Sequence, residues 1–193
     1  KKEGEIIGAI EIFSQNSPTV YEDNLVEHLS GIAMHDALTQ LPNRRYLESF
    51  LDYKLNEYQR FGRLFAVLFA DIDDFSHFNN EYGHDTGDKV LVNIAAGIKK
   101  NMNRNDLIGR WGGEEFLGIF SISNGYDASI LGEKFRRLAL NTEVPHGNAA
   151  LHVSVSVGIT VVRRGDTAAS LLERADQLMY QGKRDGKNRV AAD

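Results

Sequence analysis

The chain has 193 residues, 42% of them hydrophobic and 25% charged, with a formal net charge of −5 and no cysteine. This composition is that of a soluble globular protein and excludes disulfides and thiolate metal sites, while the negative charge argues against nucleic-acid binding through a basic face. No membrane segment is expected, because the longest apolar run, Leu64–Ala70, is far shorter than the roughly 20 residues that span a bilayer.

Residues 1–34 are expected to precede the main domain, which we place at residues 35–193. Gly4–Phe13 contains alternating isoleucines and predicts a strand, and the segment after it has linker composition. Apolar residues at helical spacing between positions 25 and 32 predict a short amphipathic helix. The chain opens on Lys1 without a secretory signal, so we expect a fragment of a longer cytoplasmic protein, with or without upstream sensor or membrane segments.

The main domain alternates between helical and strand patterns. From Leu64 the order is strand, helix, two strands, helix, strand, helix and strand, which predicts an α/β (α+β) fold with a ferredoxin-like β-α-β-β-α-β core. Leu64–Ala70 is apolar on both faces, as in a central buried strand, whereas the alternation in Leu151–Val162 predicts one face in water. The other predicted elements are helices at about Arg44–Gln59, Gly87–Lys100, Ala128–Asn141 and Ala168–Gly182, and strands at Leu107–Trp111, Glu115–Phe120 and Asn188–Ala191.

The stretch ADIDDF ends the buried strand in three carboxylates, Asp71, Asp73 and Asp74. In open α/β sheets ligands bind at such strand ends, and carboxylates with a backbone carbonyl between them suit Mg²⁺. An acidic protein that binds an anionic phosphate needs such a metal ion to bridge the two. A solvated loop with a helix N-cap is the alternative interpretation of this stretch alone.

The stretch RWGGEEF places Gly112 and Gly113 between two predicted strands, which is typical of a hairpin turn. If these strands lie beside Leu64–Ala70, Glu114 at the turn would face Asp71, and the two carboxylates could share a cation. The glycines would let a phosphate approach the backbone with no Cβ in the way. A plain surface hairpin is the alternative.

Together these stretches resemble the GGDEF family of bacterial diguanylate cyclases, over Asp36–Ala191. The resemblance implies a nucleotidyl-cyclase type of fold, with a mostly antiparallel central sheet flanked by helices. The motifs that carry it are HDALTQLPNRR as the opening motif, DIDDF as the metal motif, NNEYGHDTGD as the guanine-binding stretch, RWGGEEF as the signature with glutamate in third position, and ADQLMYQGKRDGKNRV as the closing helix and strand.

The resemblance implies roles for the acidic residues. Asp71 and Glu114 would bind Mg²⁺ or Mn²⁺ through their carboxylates, and Ile72 would bind it through its carbonyl. Glu114, with help from Glu115, would assist deprotonation of the attacking 3′-hydroxyl. Phosphoryl transfer needs mostly positioning and neutralisation of charge, which metals and lysines supply.

The resemblance also implies a GTP site. Asn79 and Asp88 would bind guanine with His84 nearby, and Lys183 and Lys187 would hold the triphosphate. A carboxylate accepts hydrogen bonds from guanine N1 and N2 but repels the bare lone pair at adenine N1, so Asp88 favours GTP over ATP. Taken alone, Asn79, His84 and Asp88 would be interpreted as a polar loop that caps a helix, and the two lysines as favourable charges at a helix end.

The chain departs from the family pattern in two places. The family usually has a lysine after the phenylalanine of the metal motif, where this chain has Ser76, so one phosphate contact is absent. The family's inhibitory site is Arg-x-x-Asp, and here Asp106 is retained while Asn103 replaces the arginine. We therefore expect a degenerate inhibitory site.

The sequence thus predicts the catalytic output domain of a diguanylate cyclase, which condenses two GTP into cyclic di-GMP and releases two pyrophosphates. Each domain would hold one GTP, so the active species would be a homodimer. One rival is a non-catalytic module that binds GTP or cyclic di-GMP, which Ser76 slightly favours. Another is an adenylyl cyclase of related topology, which Asp88 disfavours. Residues 1–34 resemble the end of a PAS-like sensor domain, with an arbitrary chain boundary as the alternative.

Overall fold

The computed structural model describes residues 34–101, 106–124, 126–147 and 149–193. The strand and helix predicted within residues 1–34 lie outside this part of the chain. The described helices are α1 (Arg44–Phe61), α2 (Phe75–Tyr82), α3 (His84–Asn101), α4 (Tyr126–Leu140) and α5 (Ala168–Arg184). The described strands are β1 (Phe65–Ile72), β2 (Leu107–Gly112), β3 (Glu115–Ser121), β4 (Val144–His146), β5 (Ala149–Leu151), β6 (Val155–Val161) and β7 (Val190–Ala192).

The central sheet has five strands in the order β2-β3-β1-β6-β7. Neighbouring strands are antiparallel except for β6 and β7, which pair in parallel. The first four strands of this order have the ferredoxin-like arrangement, and β7 extends the sheet beyond β6. The predicted mostly antiparallel sheet flanked by helices is therefore confirmed.

Helices cover both faces of the sheet, and each face has its own hydrophobic core. Alternate residues of β1 point to opposite faces, so Phe65, Val67 and Phe69 pack with α1 and α5. Ala66, Leu68, Ala70 and Ile72 pack with α2, α3 and α4 on the opposite face. All eight residues of β1 are buried, as its continuous apolar run predicts.

The long helices begin and end at residues suited to those positions. The side chain of Asn43 accepts a hydrogen bond from Tyr46 N at the start of α1, and the helix ends at Gly62 with φ of 67°. Thr167 and Ser170 form a capping box at the start of α5. Within the described ranges, no helix has the length and apolar character needed to cross a bilayer.

The segment after β1 differs from the prediction. The sequence predicted a helix only from about Gly87 and no element between Ala70 and that residue, but the segment forms α2 and the first turn of α3. Phe75 and Phe78 are buried on one side of α2 and provide the packing that stabilises this short helix. Asp74 precedes α2 with φ of 55°, and Gly83 separates α2 from α3.

The predicted strand Leu151–Val162 is also different, because it is divided into β5 and β6. β5 pairs with β4 in a separate hairpin that the sequence analysis did not identify. The expected face in water is wrong, since Ser156 and Thr160 are fully buried. Polar partners explain their burial: Ser156 donates a hydrogen bond to Asp73, and Thr160 to Asp193.

Candidate active site

Two carboxylates meet where β1 and β3 end side by side. Asp71 is paired with Glu115 in the strand register, and Ile72 N donates a weak hydrogen bond to Glu114 O at 3.4 Å. The sequence placed Glu114 opposite Asp71, whereas the register gives that position to Glu115 and leaves Glu114 in the turn. The two adjacent glutamates and Asp71 together form an acidic corner at the end of the sheet.

The surroundings of the acidic corner disfavour ionisation of Asp71 and Glu115. Burial raises the pKa of Asp71, and the charges of Glu114 and Asp73 raise it further, while Lys183 lowers it. Burial also raises the pKa of Glu115, and the charges of Asp71, Asp176 and Glu114 add to this effect. Crowded, partly desolvated carboxylates of this kind are stabilised when a cation binds them.

Lys183 supplies a positive charge to the corner from α5. Its Nζ lies 2.6 Å from Asp71 Oδ1. The Lys183 ammonium is therefore the polar partner of this buried oxygen, and it lowers the pKa of Asp71. The contact supplies positive charge that partly compensates for the burial of the Asp71 carboxylate.

The other two aspartates of ADIDDF have different surroundings. Asp73 accepts hydrogen bonds from Ser154 Oγ at 2.6 Å, Ser156 Oγ at 2.7 Å and Asn188 N at 2.9 Å. It therefore ties the end of β1 to β6 and to the segment before β7. Asp74 is exposed and pairs with Lys187 Nζ at 2.5 Å, and this contact lowers the pKa of Asp74.

The glycine pair forms an open turn between β2 and β3. Gly113 has φ of 48°, and a Cβ added to Gly112 would meet nothing within 4 Å. The turn is fixed by Arg110, whose Nε donates to Gly113 O at 2.9 Å. The backbone of this turn is therefore open, and the approach of a phosphate to it stays a prediction.

Arg110 also connects this turn to the opening motif. Its Nη1 donates to both carboxylate oxygens of Asp36, at 3.1 and 3.2 Å. Burial opposes ionisation of Asp36, but hydrogen bonds from Thr39 and Arg110 outweigh it and lower the pKa. Both residues belong to motifs of the sequence, but the motifs predict no role for either of them, because nothing in the pattern shows that the two motifs touch.

The predicted guanine-binding residues lie on consecutive helices and not in a loop. Asn79 is half-buried on α2, and His84 and Asp88 are exposed on α3. Among the described residues, Asn79 Oδ1 is buried and has no hydrogen-bond partner. A Cβ at Gly87 would lie 1.9 Å from this oxygen, so any other residue there would force the Asn79 side chain out of its present orientation.

The remaining predictions concern the metal and the inhibitory site. No cluster of three histidine, cysteine, aspartate or glutamate side chains that could hold a metal occurs within the described ranges. The predicted metal ligands are two carboxylates and a backbone carbonyl, so a cluster of three such side chains is not required. Asn103 lies outside the described residues, and Asp106 is half-buried just before β2.

A groove of about 610 Å³ lies away from the acidic corner. Leu64, Ser121 and side chains of α1 line it, at the opposite end of β1 and β3 from Asp71. Among the predicted site residues that the structure describes, Asp106 alone lines it. The open corner is the better candidate for an active site, because the carboxylates and lysines that suit phosphoryl transfer lie there.

Sequence comparison relates the chain to a known family. The family described as "Diguanylate cyclase, GGDEF domain" matches residues 33–189. The chain is 37% identical over 175 residues to the response regulator PleD of Caulobacter vibrioides, covering 89% of this chain and 38% of PleD. It is 36% identical over 162 residues to the bifunctional diguanylate cyclase/cyclic di-GMP phosphodiesterase MucR of Pseudomonas aeruginosa, covering 83% of this chain and 23% of MucR.

Comparison with solved structures also relates the chain to diguanylate cyclases. The diguanylate cyclase SiaD of Pseudomonas aeruginosa, crystallised with its activator SiaC, superposes with a TM-score of 0.82 at 34% identity, covering 100% of this chain and 74% of SiaD. The GGDEF domain of DgcB from Caulobacter crescentus, in complex with c-di-GMP, gives 0.78 at 33% identity, covering 83% and 93% of the two chains. The chain belongs to the GGDEF family of diguanylate cyclases, as its motifs predict.

Proposed function

We propose that residues 35–193 form a catalytic domain that condenses two GTP into cyclic di-GMP and releases two pyrophosphates. The observation that carries the proposal is the acidic corner, where Asp71 and Glu115 are paired in the register of β1 and β3 beside Lys183. The corner lies at strand ends, where α/β sheets bind ligands. The curated relatives extend well beyond the matched region, so the proposal concerns this domain.

Diguanylate cyclases of this family generally depend on a divalent metal. The carboxylates of Asp71 and Glu114 and the carbonyl of Ile72 would hold Mg²⁺ or Mn²⁺, which neutralises phosphate charge when bound. The raised pKa values of Asp71 and Glu115 suit this role, because a bound cation would stabilise both carboxylates in their charged form. Oxygen ligands are those that Mg²⁺ prefers.

Two lysines and the glycine turn would bind the triphosphate. Lys183 and Lys187 pair with Asp71 and Asp74 in the structure, and these contacts hold both ammonium groups next to the corner. Phosphate oxygens would take over part of these ion pairs. Gly112 and Gly113 would accept a phosphate close to the backbone, since no Cβ occupies that space.

Asn79 and Asp88 would bind the guanine base, with His84 beside them. The Asp88 carboxylate is exposed and can accept from the N1 and N2 donors of guanine. The Asn79 side chain lies against Gly87, and its Oδ1 has no hydrogen-bond partner within the described residues. A guanine that reaches Asn79 would donate a hydrogen bond to this oxygen. This set favours guanine over adenine.

In the reaction, the 3′-oxygen of one GTP attacks the α-phosphorus of another. A 3′-O–P bond forms, the bond from the α-phosphorus to the bridging oxygen breaks, and pyrophosphate leaves. Glu114, with help from Glu115, would accept the proton of the 3′-hydroxyl. The raised pKa of Glu115 makes it a stronger base than an ordinary glutamate.

Two such bonds close cyclic di-GMP, so two GTP-loaded domains must face each other. The active species would therefore be a homodimer in the cytoplasm, with residues 1–34 as the end of an upstream sensor-like domain. The test is incubation of concentrated protein with GTP and Mg²⁺, with products separated by chromatography. Cyclic di-GMP with two pyrophosphates for each molecule supports the proposal, and unchanged GTP overturns it.

A non-catalytic module that binds GTP or cyclic di-GMP is the second candidate. It is favoured by Ser76, which is exposed at the start of α2 where the family usually has a lysine. The same incubation separates the two functions. Binding of GTP by calorimetry without any product would assign the module, whereas product formation would exclude it.

A further inference from the structure

The turn before β7 has an unusual backbone. Gly186, Lys187 and Asn188 have φ of 115°, 62° and 47°. Two consecutive residues with side chains therefore lie in the left-handed region, which their Cβ atoms disfavour. Such conformations persist only where surrounding contacts fix them, and they are frequent at functional sites.

Hydrogen bonds from other parts of the domain hold the backbone and the Asn188 side chain of this turn. Lys187 N donates to Gly182 O at 3.0 Å, and Asn188 N donates to Asp73 Oδ2 at 2.9 Å. The third contact comes from a different helix, since Arg136 Nη1 on α4 donates to Asn188 Oδ1 at 2.6 Å. The short distance and the charged donor make this a strong hydrogen bond.

Arg136 is itself held in one orientation. Its side chain is 15% exposed, and its Nε and Nη2 donate to the Glu133 carboxylate at 3.0 to 3.2 Å. This pairing lowers the pKa of Glu133. Arg137 on the same helix also lies near Glu133, at 3.5 Å, but its side chain is 72% exposed. It is a matched arginine on the solvent side of α4.

We propose that Arg136 is a positioning residue for the triphosphate site. It holds Asn188 in the left-handed turn, and the turn directs Lys187 towards Asp74 at the edge of the acidic corner. This inference rests on the proposed function, in which Lys187 binds the triphosphate. Arg136 would thus contribute to the affinity for GTP, although none of the predicted GTP-binding or metal-binding residues lies on its helix, α4.

The test compares Arg136→Met with the matched control Arg137→Met in the full 193-residue chain. We expect the KM for GTP to rise about tenfold in Arg136→Met, as for loss of a hydrogen bond to a charged group, with little change in kcat. Arg137→Met should retain the KM of the unsubstituted protein. If Arg136→Met does not fold, Arg136→Lys, which keeps the charge and loses the planar fork, replaces it.

A double-mutant cycle separates positioning from general loss of stability. In a Lys187→Ala background, Arg136→Met should have no further effect on KM, because its effect passes through Lys187. An additive effect, or equal KM values for Arg136→Met and Arg137→Met, would overturn the inference.

Amide hydrogen exchange tests the inference without turnover. Exchange at Asn188 N–H should become faster in Arg136→Met and remain unchanged in Arg137→Met. Equal exchange in the two variants would overturn the role of Arg136. Absence of GTP turnover by the unsubstituted protein would instead contradict the proposed function, and the exchange measurement would still decide whether Arg136 fixes the turn.

Discussion

Asp71 and Glu115 lie opposite each other across the antiparallel pair β1 and β3, and both have raised pKa values. Like charges at directly opposite positions destabilise a sheet. Lys183 compensates for only part of this repulsion, because its close contact is to Asp71. We interpret the pair as a functional feature that lowers the stability of the domain and is relieved when a cation binds.

The first prediction concerns stability and pH. The pKa of Glu115 is higher in the folded than in the unfolded chain, so folding takes up protons. The free energy of unfolding should therefore fall as the pH rises from the ordinary glutamate pKa to the raised pKa of the folded state. Above the folded-state pKa this loss of stability, the deficit, is complete. Glu115→Gln removes this deficit and should increase the free energy of unfolding at pH 7 by about 0.5 kcal/mol.

Urea denaturation at pH 7 and at a pH below the ordinary glutamate pKa measures the effect. The gain from Glu115→Gln should disappear at the lower pH, where the carboxyl is protonated in both states. Glu143→Gln, at an exposed glutamate before β4, is the control and should change little at either pH. A loss of stability in Glu115→Gln at pH 7 would contradict the account of the corner.

The second prediction concerns the glycine turn. A Cβ at Gly112 meets no atom within 4 Å, so Gly112→Ala should leave the melting temperature unchanged or slightly raised. The same methyl group would occupy space that a phosphate needs, and the KM for GTP should rise. Thermal denaturation and initial rates check the two parts. An unchanged KM would mean that phosphate does not approach this backbone.

The third prediction concerns base selectivity. Asp88→Ala should weaken discrimination against ATP, because the repulsion with adenine N1 disappears and a guanine donor loses its partner. If the bound base buries that donor, leaving it unpaired costs about 1–3 kcal/mol, which corresponds to about 5- to 150-fold in selectivity. Competition between GTP and ATP measures the ratio in the unsubstituted protein and the variant. If the ratio is the same in both, the base is recognised by other residues.

The fourth prediction concerns feedback. Asn103 stands where the family has arginine, so a charge-assisted hydrogen bond worth about 1.5–3 kcal/mol is absent from the inhibitory site. Arg104 is adjacent, but neighbouring side chains in an extended segment point to opposite faces. We therefore expect weak product inhibition. A titration of cyclic di-GMP into the unsubstituted protein and Arg104→Ala, following heat and initial rate, tests it.

Weak binding in both proteins is the expected result of that titration. Tight binding with inhibition in the unsubstituted protein, lost in Arg104→Ala, would show that Arg104 has replaced the missing arginine.

The fold was largely predictable because most of its elements have a clear hydrophobic period. The continuous apolar run of β1 and the helical spacing in α3 each gave the correct element. The division between β5 and β6 was not predictable, because alternation continues through His152–Ser154. There the Ser154 carbonyl and hydroxyl bind Asp73, a partner far away in the sequence.

The site was predictable as a set of residues but not as a set of contacts. Motifs identify Asp71, Glu114 and Lys183, yet only the strand register shows that Glu115 is the residue opposite Asp71. The contact between Arg110 and Asp36 joins positions 74 residues apart, and no local pattern indicates such a pairing. Long-range contacts of this kind depend on tertiary packing.

The most direct test of the proposed mechanism is turnover by Glu114→Gln. This substitution preserves shape and removes one carboxylate from the proposed metal and base site. Loss of one group that stabilises charge in the transition state often lowers the rate by about 10²–10³. With GTP and Mg²⁺, we predict that cyclic di-GMP formation falls at least that far while circular dichroism and melting temperature stay unchanged. Formation of product at nearly the rate of the unsubstituted protein would contradict the assignment of the acidic corner as the active site.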